Sequence, residues 1–181
     1  MLRKMYNRQK FISDVNVFSS FRHEDRRGTF CKPLSLKNAK IPSGFEVAES
    51  YYSRSKRHVL RGMHYQKPPR EHAKIVHVVS GRAIDVVLDI RRESNTYGDY
   101  KVMELGDRCD TVYIPVGCAH GFMTVKNNTL MLYYQTSVHS DELDAGVRWD
   151  SFGYSWEGIK EPTLSDRDKN LPPFDKINSP F

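Results

Sequence analysis

Two short apolar stretches each place a histidine close to a glycine. Residues 59–66 contain His64 in the run VLRGMHYQ, and residues 114–122 contain His120 in the run IPVGCAHGF. Both runs have the composition of strands, and a glycine inside a strand indicates a bulge or a close approach to another group. Either histidine alone could be a hydrogen-bonded core residue. Together they predict a site inside a β-sheet protein.

The alternation of side chains along a strand predicts the neighbours of His64. Successive side chains point to opposite faces, so we expect Gly62, His64 and Gln66 on one face and Arg61 on the other. This arrangement would place a base and an amide in the same site.

A lysine and a pair of tyrosines complete the set of candidate residues. Lys74 stands in an apolar run, where a lysine is rare unless it is paired or functional. It could point into the mouth of a barrel, or it could protect a sheet edge from aggregation. Tyr133 and Tyr134 are adjacent in a strand, so one must face inward. An inward hydroxyl needs a partner and can also deliver a proton.

The ligand pattern disfavours a metal site. The His64 run offers one histidine and a glutamine where an H-x-H pair would be needed, and His120 alone cannot complete a set of three or four protein ligands. Histidine, lysine, tyrosine and carboxylate without metal can carry out enolisation, with a base, a cation for the enolate and an acid. We therefore expect no metal and no cofactor, and the residues suggest epimerisation.

Strand patterns recur along most of the chain. Ser80-Gly81 predicts a hairpin, Asn127-Asn128 predicts a turn, and Ser165 is a candidate N-cap for a short helix that ends before Pro172-Pro173. These features predict an all-β fold, one antiparallel β-roll over residues 1–181 with short helices near the C-terminus. The predicted strands are 45–53, 59–66, 73–79, 82–90, 100–105, 111–114, 121–125 and 130–137.

Composition restricts the class of protein. At 181 residues with 28% charged residues, the chain is expected to be one globular domain, and its longest apolar run, 83–90, is interrupted by Asp85. We therefore expect no membrane span and, from the basic but not apolar start, no signal peptide. Three cysteines without a CxxC pair favour the cytoplasm over an oxidising compartment.

The net charge of +6 favours an anionic partner. The basic runs are not interleaved with aromatic residues, as a nucleic-acid stacking surface would be, so a phosphorylated small molecule is favoured over nucleic acid. Arg27, in the turn of residues 25–30, could offer its guanidinium to such an anion, or it could belong to a solvated turn.

Several motifs, taken together, resemble the dTDP-4-dehydrorhamnose 3,5-epimerase family. They are RGMHYQ at 61–66, the Lys74 strand, DVVLDIRRES at 85–94 followed by Tyr97-Gly98, IPVGCAHGF at 114–122 and PTLSDRD at 162–168. The match runs in order from about Arg27 to Asp168. The resemblance implies a cupin-like jelly roll (a double-stranded β-helix) without metal or cofactor. It also implies a nucleotide-diphosphate 4-keto-6-deoxy sugar as substrate, a role in deoxysugar biosynthesis for surface polysaccharide, and a homodimer with exchanged N-terminal strands.

The resemblance assigns roles to individual residues. His64 matches the base that removes the proton next to the 4-keto group, Asp168 the carboxylate that orients it, and Tyr133 the acid on the far face. Lys74 and His120 match residues that stabilise the enolate. The implied catalytic set is therefore His64, Tyr133, Asp168 and Lys74, and the implied substrate-binding set is Arg27, Arg61, His120, Gln66, Tyr51, His139, Asp144 and Arg167.

The chain departs from the family pattern around the substrate. His139 stands where a tyrosine commonly stacks on thymine, Asp144 replaces a glutamate, and Lys32 replaces a glutamate after the Arg-Gly turn. Residues 49–53, ESYYS, replace a stretch that is commonly like QDNHS. We interpret this as a retained reaction on a different substrate. Candidates are GDP- or CDP-linked 4-keto sugars, including a 6-deoxyheptose, with inversion at C3, C5 or both.

Two other functions remain open from the sequence. A 3,4-ketoisomerase on a similar barrel also needs a histidine base but has no need of Tyr133 on the opposite face. A non-catalytic sugar-nucleotide-binding barrel would keep the fold and lose the chemistry, although the catalytic set in this chain is complete.

Overall fold

The structure is a computed structural model that describes residues 12–106, 110–156, 159 and 161–181. The elements, numbered in chain order, are β1 Asn16–Ser19, β2 Phe21–Asp25, β3 Gly28–Lys32, β4 Glu49–Ser55, β5 Leu60–Gln66, β6 Lys74–Ser80, β7 Arg82–Asp89, β8 Tyr100–Gly106, β9 Asp110–Ile114, β10 Cys118–Thr124, β11 Thr129–Gln135, β12 Asp144–Gly146, the helix α1 Asp166–Lys169, and a 3-10 turn Phe174–Lys176.

The strands form two layers. One five-stranded sheet has the order β1-β9-β6-β11-β4, the other has the order β12-β5-β10-β7-β8, and β2 and β3 form a separate hairpin. Every strand pair is antiparallel. The all-β prediction is confirmed, and the order of the strands shows a two-layered roll.

Apolar side chains from both sheets fill the space between the layers. Val76 and Met131 of the first sheet pack with Val87 and Phe122 of the second in one buried cluster. A second cluster lies on the outer face of the second sheet, where residues after β12, including Trp156, cover it. Burial of these side chains stabilises the sandwich by about 1.5–3 kcal/mol for each large apolar residue.

The Ser80-Gly81 prediction was correct about the turn and wrong about the pairing. β6 pairs with β9 and β11, whereas β7 pairs with β8 and β10. The chain therefore crosses from one sheet to the other at Gly81, as a roll requires. A turn signal does not specify which strands share hydrogen bonds, because that choice depends on contacts distant in sequence.

The short helix begins as predicted. The Ser165 hydroxyl accepts a hydrogen bond of 3.1 Å from the backbone N–H of Asp168, which satisfies one donor of the first turn. This cap also places the Asp168 side chain against β5, where α1 packs.

Candidate active site

A bulge in β5 decides which side chains enter the cleft between the sheets. His64 lies opposite His120 and Arg61 lies opposite Phe122, so Gly62 and Met63 together face the one residue between His120 and Phe122. The extra residue reverses the alternation, and Arg61 and His64 line the same cavity. The prediction that they lie on opposite faces was therefore wrong.

Gly62 makes this bulge possible. Its φ is +131°, and a Cβ at this position would lie 2.4 Å from the Cα of Gly121. Only glycine avoids both the backbone penalty and the collision. The prediction that glycine beside His64 marks a bulge and a close approach is confirmed.

The cleft has two adjoining pockets. The first pocket has a volume of about 340 Å³ and is lined by Tyr51, Ser53, Arg61, His64, Lys74, His120, Phe122, Tyr133, Ser165, Arg167 and Asp168. The second pocket has a volume of about 390 Å³ and is lined by Glu49, Tyr51, His64, His72, Lys74, Gln135, His139, Asp144 and Arg167. Four residues line both, so the pockets are parts of one cleft.

His64 is paired with a buried carboxylate. Its Nε2 lies 2.7 Å from Asp168 Oδ1, and Asp168 Oδ2 accepts a 3.3 Å bond from the Gly62 N–H. Burial lowers the pKa of His64, and Asp168 opposes this effect. The pKa of Asp168 is lowered overall, because the bonds from His64 and Gly62 outweigh the effect of burial. The arrangement favours a neutral imidazole beside a carboxylate anion, with Nδ1 as the basic atom.

His120 has a carboxylate partner of its own. Its Nε2 lies 2.7 Å from Asp85 Oδ2, and both side chains are buried. Asp85 lies on the neighbouring strand β7, opposite Phe122, and reaches the His120 ring diagonally. This contact holds the His120 ring where it lines the first pocket.

Lys74 is a buried lysine at the junction of the two pockets. Its strand β6 lies inside the first sheet, between β9 and β11, so the alternative that Lys74 protects a sheet edge was wrong. Burial lowers its pKa to about 8, an effect that nearby Asp144 partly opposes. A cation held here can stabilise an enolate oxygen.

Tyr133 is the inward member of the tyrosine pair. Its hydroxyl lies 3.2 Å from Ser53 Oγ, and its ring stacks on Tyr51 with centroids 4.6 Å apart. Burial raises its pKa, so the phenol stays protonated. Tyr133 belongs to the first sheet and His64 to the second. The two side chains therefore enter the cleft from opposite layers.

The sequence of this chain is similar to those of known proteins. The sequence profile of the dTDP-4-dehydrorhamnose 3,5-epimerase family matches residues 9–176. The chain belongs to this family. The enzyme of that name from Salmonella typhimurium is 31% identical over 170 residues, which cover 91% of this chain and 93% of the relative. That from Shigella flexneri is 32% identical over 164 residues, covering 88% and 90%.

Solved structures of dTDP-4-dehydrorhamnose 3,5-epimerases share the fold. The enzyme from Elizabethkingia anophelis has a TM-score of 0.84 at 28% identity, covering 94% of this chain and 96% of the other. A 3'-monoepimerase from Streptomyces bikiniensis, solved with dTDP-quinovose, has a TM-score of 0.83 at 28% identity, covering 91% and 86%. The cupin-like jelly roll expected from the sequence is confirmed.

Two arginines that line the cleft differ in whether a carboxylate is paired with the guanidinium. Arg61 donates a 3.1 Å bond from Nε to Ser55 Oγ and has no carboxylate partner among the described residues. Arg167 forms an ion pair of 2.6 Å with Asp144 between the two pockets. Both line the cleft, and a planar guanidinium can bind phosphate with two parallel bonds.

Gln66 and Arg27 lie outside both pockets. The Gln66 amide donates to the carbonyls of Arg70 and Val138 and accepts a 2.8 Å bond from the Ser140 N–H, so it holds two loops together. Arg27 is at the tip of the β2–β3 hairpin, 82% exposed and paired with Asp25 at 2.7 Å. Neither residue contacts the cleft of its own chain. His139 is also exposed. It lines the second pocket, and its Nε2 lies 3.0 Å from Asp141 Oδ1.

The sequence analysis did not assign site roles to several lining residues. They include Ser53 and His72. Asp85, which holds His120, was also missed as a partner, although its charge interrupts an apolar run. The two ring nitrogens of His72 are buried without a hydrogen-bond partner in the part of the chain that the structure describes. Burial lowers its pKa to about 3, so this imidazole is neutral.

The described residues contain no group of three or more histidine, cysteine, aspartate or glutamate side chains placed to hold a metal ion. They also contain no helix long and apolar enough to cross a membrane. Cys109 and the start of the chain, on which predictions about cysteines and targeting depended, lie outside this part.

Proposed function

We propose that this protein inverts C3, C5 or both carbons of a nucleotide-diphosphate 4-keto-6-deoxy sugar. The observation that carries the proposal is the placement of His64 with Asp168 in one layer and Tyr133 in the other, across a single pocket. Inversion requires that a proton leave one face of a carbon and return to the other. The relatives named above as epimerases, and a Legionella relative solved with dTDP-4-keto-L-rhamnose, support the same chemistry.

The reaction begins with proton removal next to the keto group. Nδ1 of His64 takes the proton, the C–H electrons form a C=C bond, and the keto oxygen becomes an enolate. The ammonium of Lys74 and the imidazole of His120 stabilise that oxygen. Asp168 stabilises the resulting imidazolium.

The reaction ends with proton return on the far face. The Tyr133 hydroxyl gives its proton to the carbon and the keto group reforms. Solvent then returns a proton to Tyr133 and takes the extra proton from His64. No electrons are gained or lost, so the reaction needs no oxidant or reductant. The product differs from the substrate only in configuration.

We further propose that the nucleotide is guanine- or cytosine-based, with a hexose or a 6-deoxyheptose as the sugar. The second pocket is lined by the carboxylates of Glu49 and Asp144 and by the neutral His72, groups that can accept hydrogen bonds. Guanine and cytosine carry an exocyclic amine that can donate to such groups, whereas thymine has none. Arg61 and Arg167 would hold the pyrophosphate.

We also propose that the protein is cytoplasmic and forms a homodimer. In this dimer the two subunits exchange their N-terminal strands. The β2–β3 hairpin pairs only with itself among the described residues and exposes Phe21 (60%) and Phe30 (53%). Exposed apolar residues on a projecting hairpin favour burial against another chain. Docked there, Arg27 would reach the partner's cleft. Light scattering should give twice the chain mass of 21.0 kDa, and a monomer would contradict the proposal.

The deciding experiment incubates the protein in D2O with dTDP-, GDP- and CDP-linked 4-keto-6-deoxy sugars and follows deuterium and configuration by NMR. Deuterium together with inversion in the GDP or CDP sugar is expected. Normal turnover of the dTDP sugar alone would contradict the proposed nucleotide. No exchange with any substrate would contradict catalysis and favour a binding barrel.

A further inference from the structure

Tyr51 separates the two pockets of the cleft. It lines both of them, and its ring lies almost parallel to that of Tyr133, with centroids 4.6 Å apart and planes inclined by 13°. The stack follows from strand register, because Tyr51 of β4 lies directly opposite Tyr133 of β11. Such cross-strand aromatic pairs stabilise the sheet and fix the orientation of both rings.

The Tyr133 ring also contacts His120 and Phe122, whose ring centroids each lie 6.5 Å away. Among the residues that the structure describes, its hydroxyl has one hydrogen-bond partner, Ser53. This one bond of 3.2 Å does not fix the ring by itself. We therefore expect that loss of Tyr51 would let the Tyr133 side chain rotate towards the second pocket.

Tyr51 is itself anchored by a chain of polar contacts. Its hydroxyl donates to Gln135 Oε1 at 3.4 Å, and Gln135 Nε2 donates to Glu49 Oε2 at 2.6 Å. The same carboxylate oxygen accepts a 3.0 Å bond from the backbone N–H of His139. The wall of the second pocket thus determines where the Tyr51 ring lies.

We propose that Tyr51 is a positioning residue for Tyr133 and sets how often the enolate is reprotonated on the far face. This inference rests on the proposed function. An enolate has two fates in D2O. Tyr133 delivers a deuteron to the far face and inverts the carbon, or His64 returns a deuteron to the original face without inversion. Displacement of Tyr133 lowers the first rate and leaves the second.

The test compares Tyr51→Leu, which removes the stack, with Tyr51→Phe, which keeps the ring and loses only the hydroxyl contact. Tyr52→Leu is the matched control, because Tyr52 is the next residue and is 68% exposed, facing away from the pocket. The probe is whichever of the dTDP-, GDP- and CDP-linked 4-keto-6-deoxy sugars the wild type turns over. Exchange and inversion rates are measured in the same D2O sample.

We expect Tyr51→Leu to lower inversion at least about tenfold while exchange changes by less than about threefold, since general acid catalysis alone is worth more than this. Tyr52→Leu should keep the wild-type ratio of inversion to exchange. Tyr51→Phe keeps the stack but loses the anchoring hydroxyl, so its ratio should fall between those of the wild type and Tyr51→Leu. Equal losses of both rates in Tyr51→Leu, or no loss of either, would overturn the inference. Tyr51→Thr removes the same stack and replaces the leucine variant if that fails to fold.

Failure of this inference can be told apart from failure of the proposed function. Tyr133→Phe calibrates the assay, because it removes the donor itself. If Tyr133→Phe inverts at the wild-type rate, the assignment of Tyr133 as the acid is wrong. If Tyr133→Phe loses inversion and Tyr51→Leu does not, only the role of Tyr51 is overturned.

Discussion

His64 and His120 lie directly opposite each other on neighbouring strands, and each Nε2 is 2.7 Å from a carboxylate of its own. The two pairs differ in access, because the His64 side chain is 25% exposed and the His120 side chain 4%. A base must exchange its proton with solvent in every turnover. This difference favours His64 as the base.

The first prediction concerns the His64–Asp168 pair. His64→Asn should abolish deuterium exchange, and Asp168→Asn should lower it by about 10²–10⁴-fold, because the imidazolium loses its anionic partner. Exchange rates measured by NMR in D2O check both. His58→Asn is the control: His58 has a φ of +64°, which asparagine tolerates, and it lies outside both pockets. Persistent exchange in His64→Asn would identify another base.

The second prediction separates epimerase from 3,4-ketoisomerase. Tyr133→Phe should lose inversion by about 10²-fold or more and retain part of the exchange, since His64 still removes the proton. An isomerase needs no acid on the far face, so its turnover would survive the change. The products of the variant and the wild type are compared by NMR. Unchanged formation of a 3-keto product would contradict the epimerase.

The third prediction concerns the pH profile of kcat/KM. The base must be neutral, and burial lowers the pKa of His64, so activity should fall only below pH 6.5, the ordinary pKa. The enolate needs a charged Lys74, whose pKa is about 8, so activity should also fall above about pH 8. In Lys74→Arg the alkaline limb should move to higher pH, because a guanidinium does not titrate there. An unmoved limb would assign it to another group.

The fourth prediction concerns stability. A pKa lowered from 10.5 to about 8 means that holding Lys74 charged in the fold costs about 3 kcal/mol at neutral pH. Lys74→Met should therefore raise the free energy of unfolding by about 2–3 kcal/mol in urea while activity falls. The exposed Lys67→Met, as control, should change it by less than about 0.5 kcal/mol.

The direction in which stability changes with pH gives an independent check on the buried charge of Lys74. Between pH 8 and 10.5 the unfolded chain binds more protons at this position than the folded one, so wild-type stability should rise with pH over this window. The rise should be missing in Lys74→Met. A variant with the same slope as the wild type would show that Lys74 is not a buried charge.

Local patterns were sufficient for much of this molecule. Alternation of apolar and polar residues located the strands, and Ser165 marked the start of α1, because capping and burial of one strand face are decided within a few residues. Lys74 could be singled out because it interrupts an apolar run. Tyr133 and Tyr134 could be singled out because one of two adjacent tyrosines in a strand must face inward. The sequence by itself therefore determined the all-β class and most of the polar residues of the cleft.

Only the tertiary structure decided how those residues meet. The bulge at Gly62 brought Arg61 beside His64, the partner of His120 proved to be Asp85, and Gln66 proved to bind loop backbone. Each outcome depends on a contact between segments far apart in the chain: Gly62 against Gly121, β10 against β7, β5 against the loop after β11. A strand pattern records which face is buried, but the phase of a bulge and the identity of a cross-strand partner are set by pairing.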